Sequence, residues 1–472
     1  MLRWVKQLEK GNKTGDIKLN TPIYNFVKRY NEAHISRLHM PGHKGQAFLG
    51  CESIDITEIN GADVLSMADG IIKESQDNAA MLFGAGASFY STEGSSQCIK
   101  AMLEAVRCDY VRHTAAGRTR PFILAARNVH RAMIDACALI DIDLDFIMPD
   151  NSTSICSVMI EPEMIRKKLS SYDELPMGVY ITSPDYLGNI ADVEGISKVC
   201  DEYDIPLIVD NAHGAYLAFM EENLHPIKLG AAICCDSAHK TLPVLTGGAY
   251  VHISEKYKER LAGYMSRSLT LFGSTSPSYL IMQSLDLCNK YLAEDFRTKL
   301  KEAVRHVDKT KDYLRTKGIS IKESEKLKII IDAAASGYTG EAVSDEMRRY
   351  DIECEYADRQ YIVLMFSSET GAVDYERVCN WAGNSIMIRN RKKKIEYSDI
   401  YPEKIKRAMT IREAVFAPSE IINVDMAEGR VCASETISCP PAVPIAVSGE
   451  VIDKHMIELF RGYDIDKVCV VS

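Results

Sequence analysis

The sequence predicts an α/β fold in which a mainly parallel β-sheet carries helices on both faces and is followed by a smaller α+β domain. From Gly70 to about Leu292, short apolar runs typical of strands alternate with helix-like segments, and such alternation indicates βαβ units. Farther along, two strand-like runs flank one helical segment. In an open α/β sheet, ligands bind beyond the carboxyl ends of the strands, so we expect functional residues to follow strands.

The elements predict three regions, of which the first two are an N-terminal arm and a large domain. The arm, residues 1–69, has a short amphipathic helix at 22–33 and a glycine-containing loop at 40–45. The large domain covers residues 70–300. Its strand-like and helical segments follow one another at 122–126, 132–140, 178–182, 196–203, 207–210 and 231–235. Apolar runs of this kind are typical of parallel strands that are buried on both faces.

The third region, residues 301–472, is predicted to be a smaller α+β domain. Helical patterns at 278–294 and 298–317 lead into it. Strand-like runs at 327–332 and 361–366 then flank a helical segment at 341–350, which indicates a second, separate sheet with its own helix.

Composition and charge exclude several classes of function. The 472 residues are 46% hydrophobic and 26% charged, with a formal net charge of −10, which argues against a nucleic-acid partner because phosphate binding needs clustered Lys and Arg. The basic run at 389–394 is more typical of an exposed loop or helix end. No apolar run approaches the roughly 20 residues that span a bilayer, so we expect a cytoplasmic protein without a membrane partner. The 14 cysteines are dispersed, and we expect reduced thiols and no metal site.

Two strand-like runs end in groups that carry chemistry. The first ends at Asp210 with His213 shortly after it, and the second is followed by Ser237, His239 and Lys240. A lysine can condense with a carbonyl cofactor, and a carboxylate against a pyridine nitrogen keeps that nitrogen protonated, as pyridoxal phosphate requires. Each residue alone is more typical of a solvated surface or a turn. The combination favours a pyridoxal phosphate site.

Further segments accompany this pair. They are residues 38–45, which contain Pro-Gly-His-Lys, residues 55–63, residues 181–188, and residues 274–279, which read Ser-Thr-Ser-Pro-Ser-Tyr. With the Asp210 and Lys240 segments, they resemble the fold-type I pyridoxal-phosphate enzymes, and most closely the bacterial ornithine/lysine/arginine decarboxylase family. The resemblance covers most of the chain. It implies an aspartate-aminotransferase-like fold in which the large domain has a seven-stranded sheet and binds the cofactor.

The resemblance implies a set of cofactor-binding residues. A helix predicted to begin within residues 90–97 and to run through Val106 offers a phosphate site, since free backbone N–H groups and the helix dipole favour an anion at its start. By itself, a serine at that place is more often an N-cap. His130 would stack on the pyridine ring, or else be an ordinary polar cap, and His213 would lie near the ring hydroxyl. The set implied is Gly94, Ser95, Ser96, His130, Asp210, His213, Ser237, His239, Lys240, Thr275 and Ser276.

The resemblance also implies the reaction. A basic amino acid, arginine, lysine or ornithine, would lose carbon dioxide and give an amine of the kind used in polyamine biosynthesis, with Lys240 or His130 returning a proton to the α-carbon. Glu435 is the candidate for the distal cation of the substrate, although an exposed glutamate is the commoner fate. Another reaction on the same scaffold, transamination or a lyase reaction, stays open, as does a catalytically silent relative.

Several positions depart from the family pattern. Glu93 stands where the family has asparagine, residues 439–444 lack the family's tyrosine and glycine, and residues 448–450 begin with serine instead of proline. The last two departures lie near the expected substrate pocket and leave the substrate open. The sequence has no room before Tyr24 for the receiver-like domain of larger members. We therefore expect the short form, a homodimer or dimer of dimers, with Thr275 and Ser276 supplied by a neighbouring subunit.

Overall fold

A computed structural model describes residues 19–114, 120–149, 152–397, 400, 405–435 and 441–472 of the chain. The helices are α1 (Pro22–Glu32), α2 (Ile71–Phe83), α3 (Gly94–His113), α4 (Arg131–Ile140), α5 (Pro162–Leu169), α6 (Val193–Glu202), α7 (Ala238–Thr241), α8 (Lys258–Leu271), α9 (Tyr279–Glu294), α10 (Phe296–Thr316), α11 (Gly340–Arg348), α12 (Ala372–Asn384), α13 (Ile386–Arg389), α14 (Ile411–Phe416) and α15 (Lys454–Gly462). The strands are β1 (Ala87–Ser91), β2 (Phe122–Ala126), β3 (Asp143–Ile147), β4 (Val179–Thr182), β5 (Leu207–Asp210), β6 (Ile233–Asp236), β7 (Ala249–Ile253), β8 (Ile321–Lys322), β9 (Lys328–Asp332), β10 (Tyr356–Ala357), β11 (Tyr361–Met365), β12 (Ser419–Asn423), β13 (Cys432–Ser434) and β14 (Lys467–Val471).

The central sheet has seven strands in the order β1-β7-β6-β5-β4-β2-β3. Strands β2 to β6 pair in parallel with their neighbours, whereas β7 runs antiparallel to both β1 and β6. The predicted α/β fold with a mainly parallel seven-stranded sheet is confirmed. The carboxyl ends of the parallel strands share one edge, where a ligand is expected.

Helices cover both faces of this sheet, because successive side chains of a strand point to opposite faces. On β5, Ile208 packs into a core built with α3, α4 and α8, while Leu207 and Val209 pack into another core built with α5 and α6. All four residues of β5 are buried. The strand can therefore be apolar throughout and still place one charged residue, Asp210, at its end.

The region beyond α10 contains two antiparallel sheets. One has the order β10-β11-β9-β8, and the other has the order β12-β14-β13. On the four-stranded sheet, Ile331 and Ile362 pack with α11 and α12, whereas Ile330 and Val363 face a core that includes α15 and β14. The four-stranded sheet is thus covered on both faces, and the three-stranded unit covers one of them.

Helix α3 shows where tertiary contacts extend a predicted element. The sequence pattern predicts its end near Val106, but the helix continues to His113. Asp109, in this last part, forms an ion pair of 2.7 Å with Arg260 of α8. A helix end is stabilised by such packing more than by its own propensity.

Three further features of the described residues concern the basic run, the cysteines and the apolar character of the helices. The basic run at 389–394 begins at the end of α13 and is exposed. The described cysteines are free thiols. Among the described helices, none combines the length and the apolar character that crossing a bilayer requires.

Candidate active site

Asp210 and Lys240, the predicted cofactor-binding pair, both lie at the carboxyl edge of the central sheet. Strands β5 and β6 are parallel neighbours, and Asp210 at the end of β5 is in register with Cys235 of β6. Helix α7 starts directly after Ser237 and carries Lys240. The Nζ atom of Lys240 lies 2.9 Å from Nε2 of His213. Because His213 follows Asp210 by only three residues, its imidazole lies at the same edge and contacts the Lys240 amine.

Asp210 is buried and accepts several hydrogen bonds. The backbone N–H of Ala212 donates to Oδ1 over 3.1 Å, and the hydroxyl of Tyr180 donates to Oδ2 over 3.3 Å. The thiol of Cys235 lies 3.7 Å from Oδ1. Burial raises the pKa of Tyr180 well above its ordinary value, so Tyr180 remains a neutral donor. These hydrogen bonds fix the orientation of the Asp210 carboxylate.

His213 is held in its neutral form. Burial lowers the pKa of His213 well below its ordinary value, and the nearby positive charge of Lys240 lowers it further. A neutral imidazole accepts at one nitrogen only, so Nε2 accepts from Lys240 and the proton resides on Nδ1. The ring of Tyr186 lies 4.9 Å from the His213 ring, between centroids, and limits its rotation.

His130 caps α4 and is also held neutral. Its Nδ1 accepts a hydrogen bond of 3.1 Å from the backbone N–H of Ala132, which assigns the proton to Nε2. Burial lowers the pKa of His130, partly opposed by the negative charge of Asp210. His130 is thus a polar cap that also lines the cavity described below, and its stacking on the pyridine ring stays a prediction.

The start of α3 is the segment predicted to bind a phosphate. Gly94 has a φ of +74°, and a Cβ atom added there would meet nothing within 4 Å. No side chain caps this helix end, although helix N-termini usually have such a partner. Ser237 Oγ donates to Ser95 Oγ over 2.8 Å, which joins the start of α3 to the Lys240 segment. Ser96 follows on the same first turn.

His239 lies on α7 and is fixed by a backbone contact. Its Nδ1 lies 3.1 Å from the carbonyl oxygen of Gly248, so this nitrogen must carry a proton in order to donate. Burial lowers the pKa of His239. Its remaining nitrogen, Nε2, is then an acceptor in the neutral form.

A cavity of about 350 Å³ opens onto these groups. Of the predicted site residues, the structure brings five together in its lining. They are Ser95, His130, Asp210, His213 and Lys240. Pro441, Ala442 and Val443, from the segment that departs from the family pattern, form another part of the wall; residues 439 and 440 of that segment lie outside the described residues.

Thr275 and Ser276 do not line this cavity in the single chain. Both are exposed. The backbone N–H of the preceding Ser274 donates to Oε1 of Glu93 over 2.5 Å, which ties the segment to the beginning of α3. The departure from asparagine at position 93 therefore has a local structural role, and a contribution from a neighbouring subunit stays a prediction.

Glu435 also lies away from the cavity lining. Its side chain is buried, and Oε1 accepts a hydrogen bond of 2.7 Å from the hydroxyl of Ser448. Burial raises the pKa of Glu435. The serine that replaces the family's proline thus binds Glu435, and a contact between Glu435 and a substrate stays a prediction.

The sequence interpretation missed several cavity residues. Tyr186 and Glu355 line the cavity, as does Cys156, and the Tyr186 hydroxyl donates to Oε1 of Glu355 over 2.6 Å. Tyr186 lies within the motif at 181–188, so its motif was a usable signal. Glu355 and Cys156 have no local motif, since they reach the cavity only through tertiary packing.

A buried polar network under the site was also missed. The carboxylate of Asp236 lies 3.0 Å from Nε2 of His225 and 3.4 Å from Nε2 of His252, and it accepts a hydrogen bond of 2.7 Å from Asn211. Burial by itself would raise the pKa of Asp236, but the two imidazoles hold that pKa well below its usual range. The network ties the residue after β5 to the strand that leads into Lys240.

A second cavity, of about 360 Å³, lies in the region of the four-stranded sheet. Its lining includes Asp351, Asp374 and Arg377 together with Glu355. None of the predicted site residues lines it. The candidate site is therefore the cavity that contains Lys240, and Glu355 lines both cavities.

Comparisons with known proteins identify the family to which the chain belongs. Residues 21–338 match the family model described as "Orn/Lys/Arg decarboxylase, major domain", and residues 391–464 match the model of the C-terminal domain of the same family. A curated arginine decarboxylase of Bacillus subtilis is 31% identical over 94% of this chain and 94% of its own length. One of Bacillus anthracis is 28% identical over 93% of this chain and 92% of its own length.

Solved structures show the same fold. The lysine decarboxylase of Francisella novicida superposes with a TM-score of 0.74 and 16% identity, covering 97% of this chain and 82% of the other. The constitutive lysine decarboxylase of E. coli superposes with a TM-score of 0.73 and 16% identity, covering 96% of this chain and 82% of the other.

Proposed function

Because the chain belongs to the ornithine/lysine/arginine decarboxylase family, we propose that it uses pyridoxal phosphate to decarboxylate a basic amino acid, releasing carbon dioxide and an amine. The observation that carries this proposal is the meeting of Lys240, His213 and Asp210 in one cavity. A lysine, an imidazole and a strand-end carboxylate provide the groups that this cofactor needs.

The residues of the cavity fit pyridoxal phosphate. The uncapped start of α3 at Gly94, with Ser95 and Ser96, suits a phosphate, and Ser237 and His239 add a hydroxyl and an imidazole beside it. Asp210 would hold the ring nitrogen, and the flat ring of His130 would lie against the cofactor ring. When bound, the cofactor supplies an aldehyde that takes up an amino group and a conjugated ring that withdraws electrons from the bond that breaks.

The chain's own residues would position charges and protons for this chemistry. Asp210, oriented by its two donors, presents its carboxylate to the cavity. His213 keeps the Lys240 Nζ atom in place by accepting its hydrogen bond at Nε2. After carbon dioxide leaves, Lys240 Nζ or His130 Nε2 would deliver the proton that replaces the carboxylate on the α-carbon.

Arginine is the first substrate to test, since the B. subtilis and B. anthracis relatives are named arginine decarboxylases. Lysine and ornithine share the distal positive charge and belong to the same family name. The amine product fits a role in polyamine biosynthesis. Free thiols throughout the described cysteines support action in a reducing cytoplasm.

We also propose a homodimer, or a dimer of dimers, with its active sites at the interface. The loop that follows α1 supports this, since it carries the exposed apolar side chains of Leu38, Phe48 and Leu49. Exposed apolar side chains close together are typical of interfaces. The exposed Thr275 and Ser276 are then available to a neighbouring site.

The test replaces the lysine. Lys240→Ala is expected to abolish carbon dioxide release from arginine, lysine and ornithine, because Lys240 is the only lysine among the described residues that line the cavity. Borohydride reduction followed by mass spectrometry should add the cofactor mass to the wild type and not to the variant. Lys198→Ala, at an exposed position, is the control and should retain both properties. Substantial turnover by Lys240→Ala with bound cofactor would contradict the assignment.

A further inference from the structure

The cavity that contains Lys240 has a carboxylate besides Asp210. Among the described side chains that line it, the carboxylates are those of Asp210 and Glu355. Asp210 comes from the end of β5 in the central sheet, whereas Glu355 directly precedes β10 in the four-stranded sheet. The two negative charges therefore reach the cavity from different parts of the fold, and Glu355 has no part in the roles proposed above.

Glu355 is held in position. Its backbone N–H donates to the carbonyl oxygen of Val363 over 3.0 Å, which continues the pairing of β10 with β11. The hydroxyl of Tyr186 donates to Oε1 of Glu355 over 2.6 Å. The Tyr186 ring is itself packed against Tyr356, with 5.4 Å between ring centroids. A carboxylate that is already oriented binds a cation without a further loss of side-chain entropy.

A line of contacts connects this carboxylate with the reactive lysine. Lys240 Nζ touches Nε2 of His213, the His213 ring contacts the Tyr186 ring, and the Tyr186 hydroxyl binds Glu355. Glu355 is thus one imidazole and one phenol away from the lysine amine. A substrate whose α-amino group lies near Lys240 would direct its side chain along the cavity toward this carboxylate.

The location of Glu355 suits the far end of a substrate. Glu355 is exposed in the single chain and lines both the Lys240 cavity and the second cavity. Its Oε1 accepts from a neutral hydroxyl, which leaves the negative charge of the carboxylate uncompensated by that contact. An ammonium or guanidinium group pairs with such a carboxylate through charge-assisted hydrogen bonds.

Glu435, the other candidate for this role, has a different environment. It is 6% exposed and its Oε1 binds Ser448. Burial raises the pKa of Glu435, which favours its neutral form. In the described part of the cavity lining, Glu355 is present and Glu435 is not.

We propose that Glu355, oriented by Tyr186, binds the distal cation of the substrate and selects basic amino acids over neutral ones. This inference rests on the proposed decarboxylation and names the residue that determines its substrate class.

The experiment compares charged and neutral substrates of similar shape. The wild type, Glu355→Gln and Glu435→Gln are assayed for carbon dioxide release from arginine, lysine and ornithine, and from citrulline and norleucine, whose side chains are neutral. Glu355→Gln keeps an oxygen for the Tyr186 hydroxyl but removes the charge. We expect kcat/KM for the basic substrates to fall about 10- to 100-fold, the size typical of one charge-assisted hydrogen bond, mainly through KM. The values for neutral substrates should not fall.

The control is Glu353→Gln. Glu353 is an exposed glutamate two positions away, it pairs with Arg348, and it does not line the Lys240 cavity. Its substitution should leave every kcat/KM value within about twofold of the wild type, since exposed ion pairs contribute little. Circular dichroism and the visible absorbance of the cofactor report whether each variant is folded and loaded.

The experiment distinguishes a failure of the Glu355 assignment from a failure of the proposed reaction. An active Glu355→Gln enzyme that keeps its preference for basic substrates, above all if Glu435→Gln loses it, would overturn the role of Glu355 and leave the proposed reaction intact. A loaded wild type that releases no carbon dioxide from any basic amino acid would overturn the proposed reaction, and the selection of its substrate by Glu355 with it.

Discussion

At the scale of single residues, the site depends on imidazoles that are kept neutral by burial. The pKa values of His130, His213 and His239 are all lowered, with burial as the largest cause. A neutral His213 can accept from Lys240, whereas a charged one would repel it. The same burial that prepares the site makes the fold sensitive to protons.

The lowered histidine pKa values predict how the free energy of unfolding depends on pH. The pKa of His213 is lower in the folded chain than the ordinary value of 6.5, so below that pH the unfolded chain binds more protons. The free energy of unfolding should therefore decrease as the pH falls from 7 to about 5.5, by up to about 1.4 kcal/mol per pH unit for each such histidine. Urea unfolding of the cofactor-free protein measures the slope.

His213→Gln is expected to make this slope shallower, because one titrating group with a lowered pKa is removed. The matched control is His34→Gln, at an exposed position, which should keep the wild-type slope. Equal slopes for His213→Gln and the wild type would contradict the electrostatic account of His213.

At the scale of elements, one buried ion pair joins the central sheet to the C-terminal region. Arg127, directly after β2, donates to Oε2 of Glu450 over 3.1 Å and to the carbonyl oxygen of Ile445 over 2.9 Å. Both charged side chains are buried, at 0% and 2% exposure. The pair lies three residues before His130, so it sets the position of the strand end that carries this histidine.

Breaking this pair should cost more than removing it. Glu450→Ala leaves the Arg127 charge buried without its carboxylate, and we expect unfolding to become easier by about 3–5 kcal/mol. The double variant Arg127→Met with Glu450→Met buries no unpaired charge. Its loss of unfolding free energy should be smaller than the sum of the losses in the single variants Arg127→Met and Glu450→Met. Urea unfolding followed by tryptophan fluorescence measures all of them. Additive losses would show that the two side chains do not stabilise the fold as a pair.

At the scale of the whole molecule, the exposed apolar loop after α1 is unusual for a chain that acts alone. Leu38, Phe48 and Leu49 are 95%, 84% and 91% exposed. Burial of one large apolar side chain stabilises a protein by about 1.5–3 kcal/mol, and these exposed side chains do not contribute that free energy in the single chain. A second copy of the chain would recover it.

We therefore expect the purified protein to have about twice the chain mass of 52.7 kDa, or four times that mass, in light scattering after size-exclusion chromatography. The triple change of Leu38, Phe48 and Leu49 to Asp should give a monomer with reduced activity, because each site would lose the neighbouring Thr275 and Ser276. Met426→Asp, at an apolar position that is also exposed, is the control and should remain a dimer or tetramer. A monomeric, fully active wild type would exclude this arrangement.

The sequence by itself determined the fold class and five residues of the candidate cofactor site. Alternating apolar and helical segments predicted the central sheet, because each parallel strand must be buried on both faces. Asp210, His213 and Lys240 follow strands within short motifs, so chain order alone places them at one edge. The roles of these residues remain the proposals made above.

Only the tertiary structure decided which distant residues enter the cavity. Glu355 follows Lys240 by more than a hundred residues and comes from another sheet, and no local pattern distinguishes it from the exposed Glu353. Glu435 lies in a segment that resembles a substrate-binding motif, yet packing turns it toward Ser448. Secondary structure depends on near neighbours along the chain, which a sequence displays. The composition of a pocket depends on how distant parts of the chain pack against one another. The order of the residues along the chain does not reveal these contacts.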